Sequence, residues 1–514
     1  MSRAHLALLV ALFTSASCGA KSPPTVVPPS TPAAVAAPAI PTTGAAPATV
    51  PAPVDAVQRL RADLLAATQL QGVQRGSWGI VVHSLDRDER LFELNPHALL
   101  IPASTAKLVS AASAVAAVGW DYRFETSLRT DGAIVGGALT GDLVIVGSGD
   151  PSIGGRGGDD FTAWVDALKA LGIRRIDGRI IGDDQAIEQP RPALAWTWDD
   201  LGYPTGALFG ALNFAENRTT VTVTPGAVAG AATTVALDPR ASWRPITNRV
   251  TTGAAASPPF IWPEQRPGEP ALTIAGALPA AGRPTTLAVS AGNPTSWFAH
   301  AFRAALERGG IAVSGDAFDI DDLPSRPIAS KLTVLYTYRS HPLSELIRPL
   351  FKQSINLYGE ALMRLNAAAG TLPTNDAALE GLRQRLAAWS VPASGQQLVD
   401  GSGLSRRSVV APETLLIVLQ RMYDTSPASP WMAAMPIAGI DGSLEMRMKG
   451  TAAERNVRAK TGTMSNIRSL AGYVTSREGE HLAFVVMVNN FEGTGAEAVR
   501  AIDTIAVRLA QFGR

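Results

Sequence analysis

The 514-residue chain has one cysteine, Cys18, so it closes no internal disulfide. Histidine is scarce as well. His5, His83, His97, His300, His341 and His481 are scattered without ligand spacing, which gives little support to zinc chemistry or a Ser-His-Asp triad. Charge of either sign is not in excess: the net value is +1, and no basic run forms a phosphate-binding stripe. A nucleic-acid partner is therefore not expected. No repeat at solenoid or propeller period is evident. Lysine is the rarest cation, limited to Lys21, Lys107, Lys169, Lys331, Lys352, Lys449 and Lys460. Arginine keeps its proton in proteins, whereas a buried lysine can lose one, so the positions of so few lysines carry information.

Only the first residues suggest a membrane. Leu6–Phe13 is an apolar run too short to span a bilayer but of the length of a secretory signal core, preceded by Arg3. It ends at Ser15-Ala16-Ser17-Cys18, which resembles a lipoprotein signal with Ser15 where leucine is usual. Residues 1–18 are thus expected to be a signal peptide, either of lipoprotein type or ordinary with an incidental Cys18. Both readings imply export, with periplasmic residence and a membrane link only through a lipid on Cys18. Residues 19–54 are rich in Pro, Ala, Thr and Val with almost no charge, and read as an extended tether.

At this length two or three domains are expected. Helical spacing of Val57, Leu60, Leu64 and Leu65 predicts a helix over 55–70, and strands are expected at 78–84 and 90–94. Pro102 precedes a small-residue helix from Ser104 to about Val118. Near the other end, Ser469–Thr475 and Leu482–Val488 read as strands, the second almost wholly apolar and so central. A last helix runs from about Ala496 to Phe512. Residues 122–330 differ in texture, being rich in Gly, Pro, Thr and Val with short strands at 142–146, 219–224 and 285–289. They read as a mostly β insertion of two modules. The remaining segments, 55–121 and 331–514, are expected to form one domain around it.

Three strings carry chemistry. Ser104 and Lys107 share one face at a helix start, where the helix N-terminus favours negative charge on the serine oxygen. A lysine in a dry pocket can take the serine proton. Ser-x-x-Lys also occurs by chance in long chains. Ser354-Ile355-Asn356 offers a hydroxyl to relay a proton and an amide to hold a substrate, or else a helix cap. In Lys460-Thr461-Gly462-Thr463, Gly462 admits a substrate strand, Lys460 and Thr461 can bind a carboxylate, and the amides of Ser104 and Thr463 can form an oxyanion hole. The alternative is an edge strand with a solvated lysine.

Three longer runs carry a resemblance: Pro102-Ala103-Ser104-Thr105-Ala106-Lys107-Leu108, Asp400-Gly401-Ser402-Gly403-Leu404-Ser405-Arg406 and Ala459-Lys460-Thr461-Gly462-Thr463-Met464. They resemble the class C low-molecular-mass penicillin-binding proteins, the penicillin-binding protein 4 type D-alanyl-D-alanine carboxypeptidase/endopeptidases of peptidase family S13. Further matches are Gly147-Ser148-Gly149-Asp150-Pro151, Ala211-Leu212-Asn213 to Asn217, and Pro436–Ser443. The resemblance covers essentially everything after the tether. Ile355 departs from it, standing where the family usually has Asp or Asn.

The resemblance implies an α/β (α+β) penicillin-recognising domain of the serine DD-peptidase/β-lactamase type, interrupted by two inserted, mostly β domains. It implies catalytic roles for Ser104, Lys107, Ser354, Asn356 and Lys460, with no metal or cofactor. Thr461, Gly462, Thr463, Met464, Ser402 and Arg406 would line the substrate cleft. In Trp196-Thr197-Trp198-Asp199-Asp200, Asp200 would meet the amine of a stem diamino acid, although the tryptophans could equally pack domains. The partners implied are peptidoglycan stem peptides and cross-links, with β-lactams as covalent inhibitors. A β-lactamase or esterase would use the same three strings. A non-catalytic wall-binding lipoprotein is the reading from a different class.

Overall fold

The nearly unbroken apolar run ending at Val488 forms the middle of the principal sheet. The computed structural model describes residues 55–156, 160–238, 243–424 and 429–514. The expected signal peptide and tether, with Cys18, lie outside the described residues. Strands β1 (Ser77–Ser84), β2 (Glu89–Leu94), β3 (Arg458–Met464), β4 (Ile467–Thr475) and β5 (His481–Asn489) run in the order β2-β1-β5-β4-β3, all antiparallel. On β5, Ala483, Val485 and Met487 enter one core while Leu482, Phe484, Val486 and Val488 enter the other. A strand buried on both faces needs apolar residues at every position, which is why this one lacks alternation.

Two helix layers cover the sheet. The terminal helices α1 (Ala56–Thr68) and α7 (Gly495–Ala510) bury Leu60, Leu64, Ile502 and Ile505 on one face. The other face meets α2 (Ala106–Val118) and α6 (Pro412–Met422), behind which lie α3 (Leu343–Lys352), α4 (Asn356–Arg364) and α5 (Asn375–Ala388). The pairing of β1 with β5, from Ser77 opposite Asn489 to Ser84 opposite Leu482, joins the two ends of the chain. It is this long-range register that brings residue 104 near residue 460.

Between α2 and α3 lies the insertion. Its first module carries a five-stranded sheet in the order Ala317–Asp319, Ile180–Asp183, Leu143–Val146, Glu125–Thr130, Thr333–Arg339. Two of these four pairings are parallel, and helices Thr162–Ala170 and Pro294–Arg308 pack on the module. The first module thus adds two helices to its sheets, whereas the second consists of two small three-stranded sheets within residues 218–290 around Val221, Val223, Leu272 and Ile274, in keeping with a mostly β insertion. That module is nested inside the first. The expected boundary at 330 falls short, because Thr333–Arg339 pairs antiparallel with Glu125–Thr130 and belongs to the insertion. No glycine or proline punctuates 331–339, so nothing local marks the difference. No helix among the described residues is long and apolar enough to cross a membrane.

Candidate active site

Pro102 opens a tight turn, Ala103–Thr105, that feeds directly into α2. Ala103 has φ 48°, an uncommon conformation for a residue with a side chain. The turn is held from both sides. The Thr105 and Ser469 hydroxyls each donate to the Pro102 carbonyl at 2.7 Å. Gly403, at φ 75°, lies so close that a Cβ there would sit 2.0 Å from the Ala103 carbonyl oxygen. Half-buried Ser104 is thereby presented at the mouth of a cleft.

Lys107 lies one helical turn below, fully buried. Its Nζ is 2.8 Å from Ser104 Oγ, 2.6 Å from Asn356 Oδ1 and 2.8 Å from the Ser402 carbonyl oxygen. Asn356 Oδ1 and the Ser402 carbonyl are acceptors only, so each takes one N–H. A neutral amine has two N–H groups and one lone pair. Once both are engaged, the lone pair is left facing Ser104. The geometry thus gives a flexible amine a fixed direction.

Burial pushes the Lys107 ammonium down to about 7, and the carboxylates of Asp400 and Glu360 limit the fall. Both acids are buried and well held. Asp400 accepts from Ser408 Oγ at 2.6 Å, from the Ser405 amide at 2.9 Å and from Trp196 Nε1 at 3.0 Å. Glu360 accepts the Ser402 amide at 2.9 Å and the Gly401 amide at 3.1 Å, which anchors the residue whose own carbonyl, in the following peptide, meets Lys107. A base must be unprotonated to act. The acylation rate is therefore expected to rise tenfold per pH unit below the Lys107 midpoint and to level off above about 7. Stopped-flow penicillin acylation across pH 5 to 9, as a rough range, checks this. A flat profile would contradict it.

The second pair lies alongside. Ser354 has φ 60° and precedes α4. Ile355 occupies the N-cap position without a capping bond, and it packs on the core, so an apolar side chain suits the middle of this string. The Ser354 hydroxyl does not cap the helix. It meets Lys460 Nζ at 2.7 Å, and that nitrogen also donates to the Thr461 carbonyl at 2.8 Å. Lys460 is fully buried rather than solvated, and burial together with the Lys107 charge holds it well below the ordinary lysine value. Asn356 reaches both ways, accepting from Lys107 and donating Nδ2 to the Thr205 carbonyl of the insertion at 2.8 Å.

A cavity of about 510 Å³ opens above these groups, lined by Ser104, Ser354, Asn356, Asp200, Arg406, Thr461, Thr463 and Met464, among others. Edge strand β3 supplies the last three. Asp199 lines it as well, and Asp200 accepts a 2.6 Å bond from Thr197 Oγ1. Two expected cleft residues are placed otherwise. Ser402 is fully buried; its carbonyl serves Lys107 while its hydroxyl turns to Asp400 at 3.2 Å. Gly462 faces protein rather than ligand. A Cβ there would lie 2.1 Å from Ser469 Oγ and 2.6 Å from the Pro102 carbonyl oxygen. Gly462→Ala is expected to cost about 1–3 kcal/mol by overpacking and to displace the Ser104 turn. Thermal melting beside penicillin acylation tests it; wild-type values in both would refute that placement.

Glu360 and Thr205 were not singled out from the sequence. Glu360 had a visible signal: a lone acid within the apolar stretch Leu357-Tyr358-Gly359-Glu360-Ala361-Leu362. Thr205 enters through its carbonyl, which no side-chain pattern reveals.

A serine bonded to a buried lysine, a second serine–lysine pair and a facing edge strand, on a five-stranded antiparallel sheet between helix layers, have the arrangement of a serine hydrolase of the penicillin-recognising fold. Residues 60–512 match the D-Ala-D-Ala carboxypeptidase 3 (S13) family, and the chain belongs to it, as a serine-type D-Ala-D-Ala carboxypeptidase. It is 34% identical over 481 residues to the D-alanyl-D-alanine carboxypeptidase of Actinomadura sp. (strain R39), covering 90% of this chain and 87% of that one. It is 26% identical over 454 residues to D-alanyl-D-alanine carboxypeptidase DacB of Haemophilus influenzae, covering 85% and 89%. The crystal structure of penicillin binding protein 4 (dacB) from Haemophilus influenzae superposes with a TM-score of 0.76 at 25% identity, over 87% of this chain and 99% of that chain.

Proposed function

We propose that the protein hydrolyses both D-Ala-D-Ala termini and D-Ala–diamino acid cross-links of peptidoglycan through an acyl-enzyme on Ser104. Lys107 takes the Ser104 proton as Oγ attacks the carbonyl of the penultimate D-alanine. The C–N bond then breaks as the proton held by Lys107 passes through the Ser354 hydroxyl, bonded to Lys460, to the departing amine, which leaves Lys107 neutral again. Water next attacks the ester, returning the proton to Ser104 and releasing the shortened stem. The amides of Ser104 and Thr463 would hold the developing oxyanion, Thr461 the substrate carboxylate, and Asp200 the stem amine. β-Lactams would acylate the same oxygen. Export through the Leu6–Phe13 signal, with Cys18 as a lipid anchor and residues 19–54 as a tether, would put the site beside its polymer.

The observation that carries this reading is the directed lone pair of Lys107, held by Asn356 and Ser402 at hydrogen-bond distance from Ser104. The test is digestion of purified cross-linked and uncross-linked muropeptides, read by mass spectrometry. Loss of one D-alanine from pentapeptides and cleavage of dimers are both expected. Intact dimers would remove the endopeptidase part. Intact pentapeptides, with rapid penicillin turnover, would favour a β-lactamase instead.

A further inference from the structure

A second cavity, of about 670 Å³, lies within the insertion. The loop Trp196–Leu201 is a wall common to both cavities: Thr197, Asp199 and Asp200 line the active cleft, whereas Trp196, Trp198 and Leu201 line the second. The loop is fastened to the catalytic domain where Trp196 Nε1 donates to Asp400 and where Ser405 Oγ donates to the Leu194 carbonyl at 2.6 Å. On its other side the Ser290 amide donates to the Gly202 carbonyl at 2.9 Å. The two cavities therefore lie on either side of one loop that is hydrogen-bonded on both sides.

The chemistry of the second cavity is particular. Trp198 is 52% exposed, a large flat apolar face left open to solvent. Trp243, on the same cavity, is held by stacking on His300 at 5.5 Å and 9°. Carboxylates line the same cavity: Asp319, Asp321 and Asp322, with Asp322 exposed and without an ion-pair partner among the described residues, while Arg266 is paired with Glu264 and Glu269. The nearby guanidinium of Arg244 is already spent on the Ser290 carbonyl and on Gln265 Oε1 at 2.7 Å. Rigid aromatic faces suit the C–H faces of a pyranose, and carboxylates accept its hydroxyls. The acidic lining repels polyanions and the carboxylates of a stem peptide. A neutral, polyhydroxylated ligand satisfies both conditions.

We propose that this cavity is a saccharide subsite that takes the neutral N-acetylated glycan attached to the stem peptide lying in the active cleft. The proposal rests on the peptidoglycan reading above, and two readouts separate the failure of one from the failure of the other. In the first, kcat/KM is measured for a disaccharide-pentapeptide and for the same free pentapeptide, with wild type, Trp198→Ala and Asp322→Asn. Wild type is expected to prefer the glycosylated substrate about tenfold, through KM, as expected of about 1.4 kcal/mol of binding. Trp198→Ala should bring that ratio near one, and Asp322→Asn should reduce it. Both variants should keep wild-type kcat/KM on the free peptide and wild-type penicillin acylation, which also shows that they are folded. In the second, the free N-acetylglucosaminyl-N-acetylmuramyl disaccharide is titrated calorimetrically into wild type and Trp198→Ala, independently of hydrolysis. Saturable binding near the millimolar range that Trp198→Ala loses supports the subsite, even if neither peptide is cleaved. A wild-type ratio of one, a ratio unchanged in Trp198→Ala, or no saturable binding would overturn it.

Discussion

Replacing Ser104 with alanine is expected to abolish covalent labelling by a fluorescent penicillin and to lower kcat/KM on pentapeptide by roughly 10⁴-fold or more. The size follows from the chemistry. Without Oγ, no covalent step remains, and a residual rate could come only from binding and oxyanion contacts. The fold should tolerate the change. Ser104 is half-buried, its hydroxyl is bonded to Lys107, and the turn is fixed by Thr105, Ser469 and Gly403 instead. The variant should therefore melt close to wild type. Its Lys107 would still donate to Asn356 and Ser402, so no buried donor is left without a partner, and only the lone pair that faced the hydroxyl loses one. Labelling that persisted in this variant would move the nucleophile elsewhere, with Ser354 the first alternative to examine.

The second large effect is expected at Lys107. Arginine in its place would retain charge and donors but could not become neutral, and methionine would retain bulk but no amine. Each should lower the acylation rate by about 10²- to 10⁴-fold, the usual contribution of a positioned general base. The two variants bracket the explanation. If only charge near Ser104 mattered, arginine would act; if only packing mattered, methionine would. Because Lys107 is fully buried among small residues of α2, the longer arginine also risks disturbing the turn, and the methionine variant with an unchanged melting temperature is the cleaner of the two. Acylation by either above a tenth of the wild-type rate would dismiss the lysine base.

Much of this arrangement was visible in local sequence. The apolar run at Leu482–Val488 is β5, the small-residue segment after Pro102 is α2, and the Ser469–Thr475 strand forms most of β4. Each is specified by its own residues, through full burial or helical spacing. The extent of the insertion was less legible. Thr333–Arg339 takes its place by pairing with a strand some two hundred residues earlier, and nothing in its own composition says which domain owns it. The module nested at 218–290 is hidden for the same reason.

At the site, residue types that carry chemistry were readable and their supports were not. Ser104, Lys107, Ser354 and Lys460 are recognisable because lysine is scarce and its spacing from serine is meaningful. Their partners work through groups that side-chain patterns do not describe. The Ser402 carbonyl, the Thr205 carbonyl and the Gly401 and Ser402 amides on Glu360 are backbone contacts. Gly462 shows the same limit. A glycine in an edge strand beside a cleft suggests room for a ligand, yet here the space is filled by Ser469 and the Pro102 carbonyl.

The most direct measurement is peptide mapping of the intact protein after brief exposure to benzylpenicillin, repeated at about pH 5.5 and pH 8, on either side of the Lys107 midpoint. A single penicilloyl group on Ser104, forming at least tenfold faster at the higher pH, is the predicted result. An adduct on any other residue, no adduct at all, or a rate indifferent to pH would contradict a serine activated by a buried, neutral lysine.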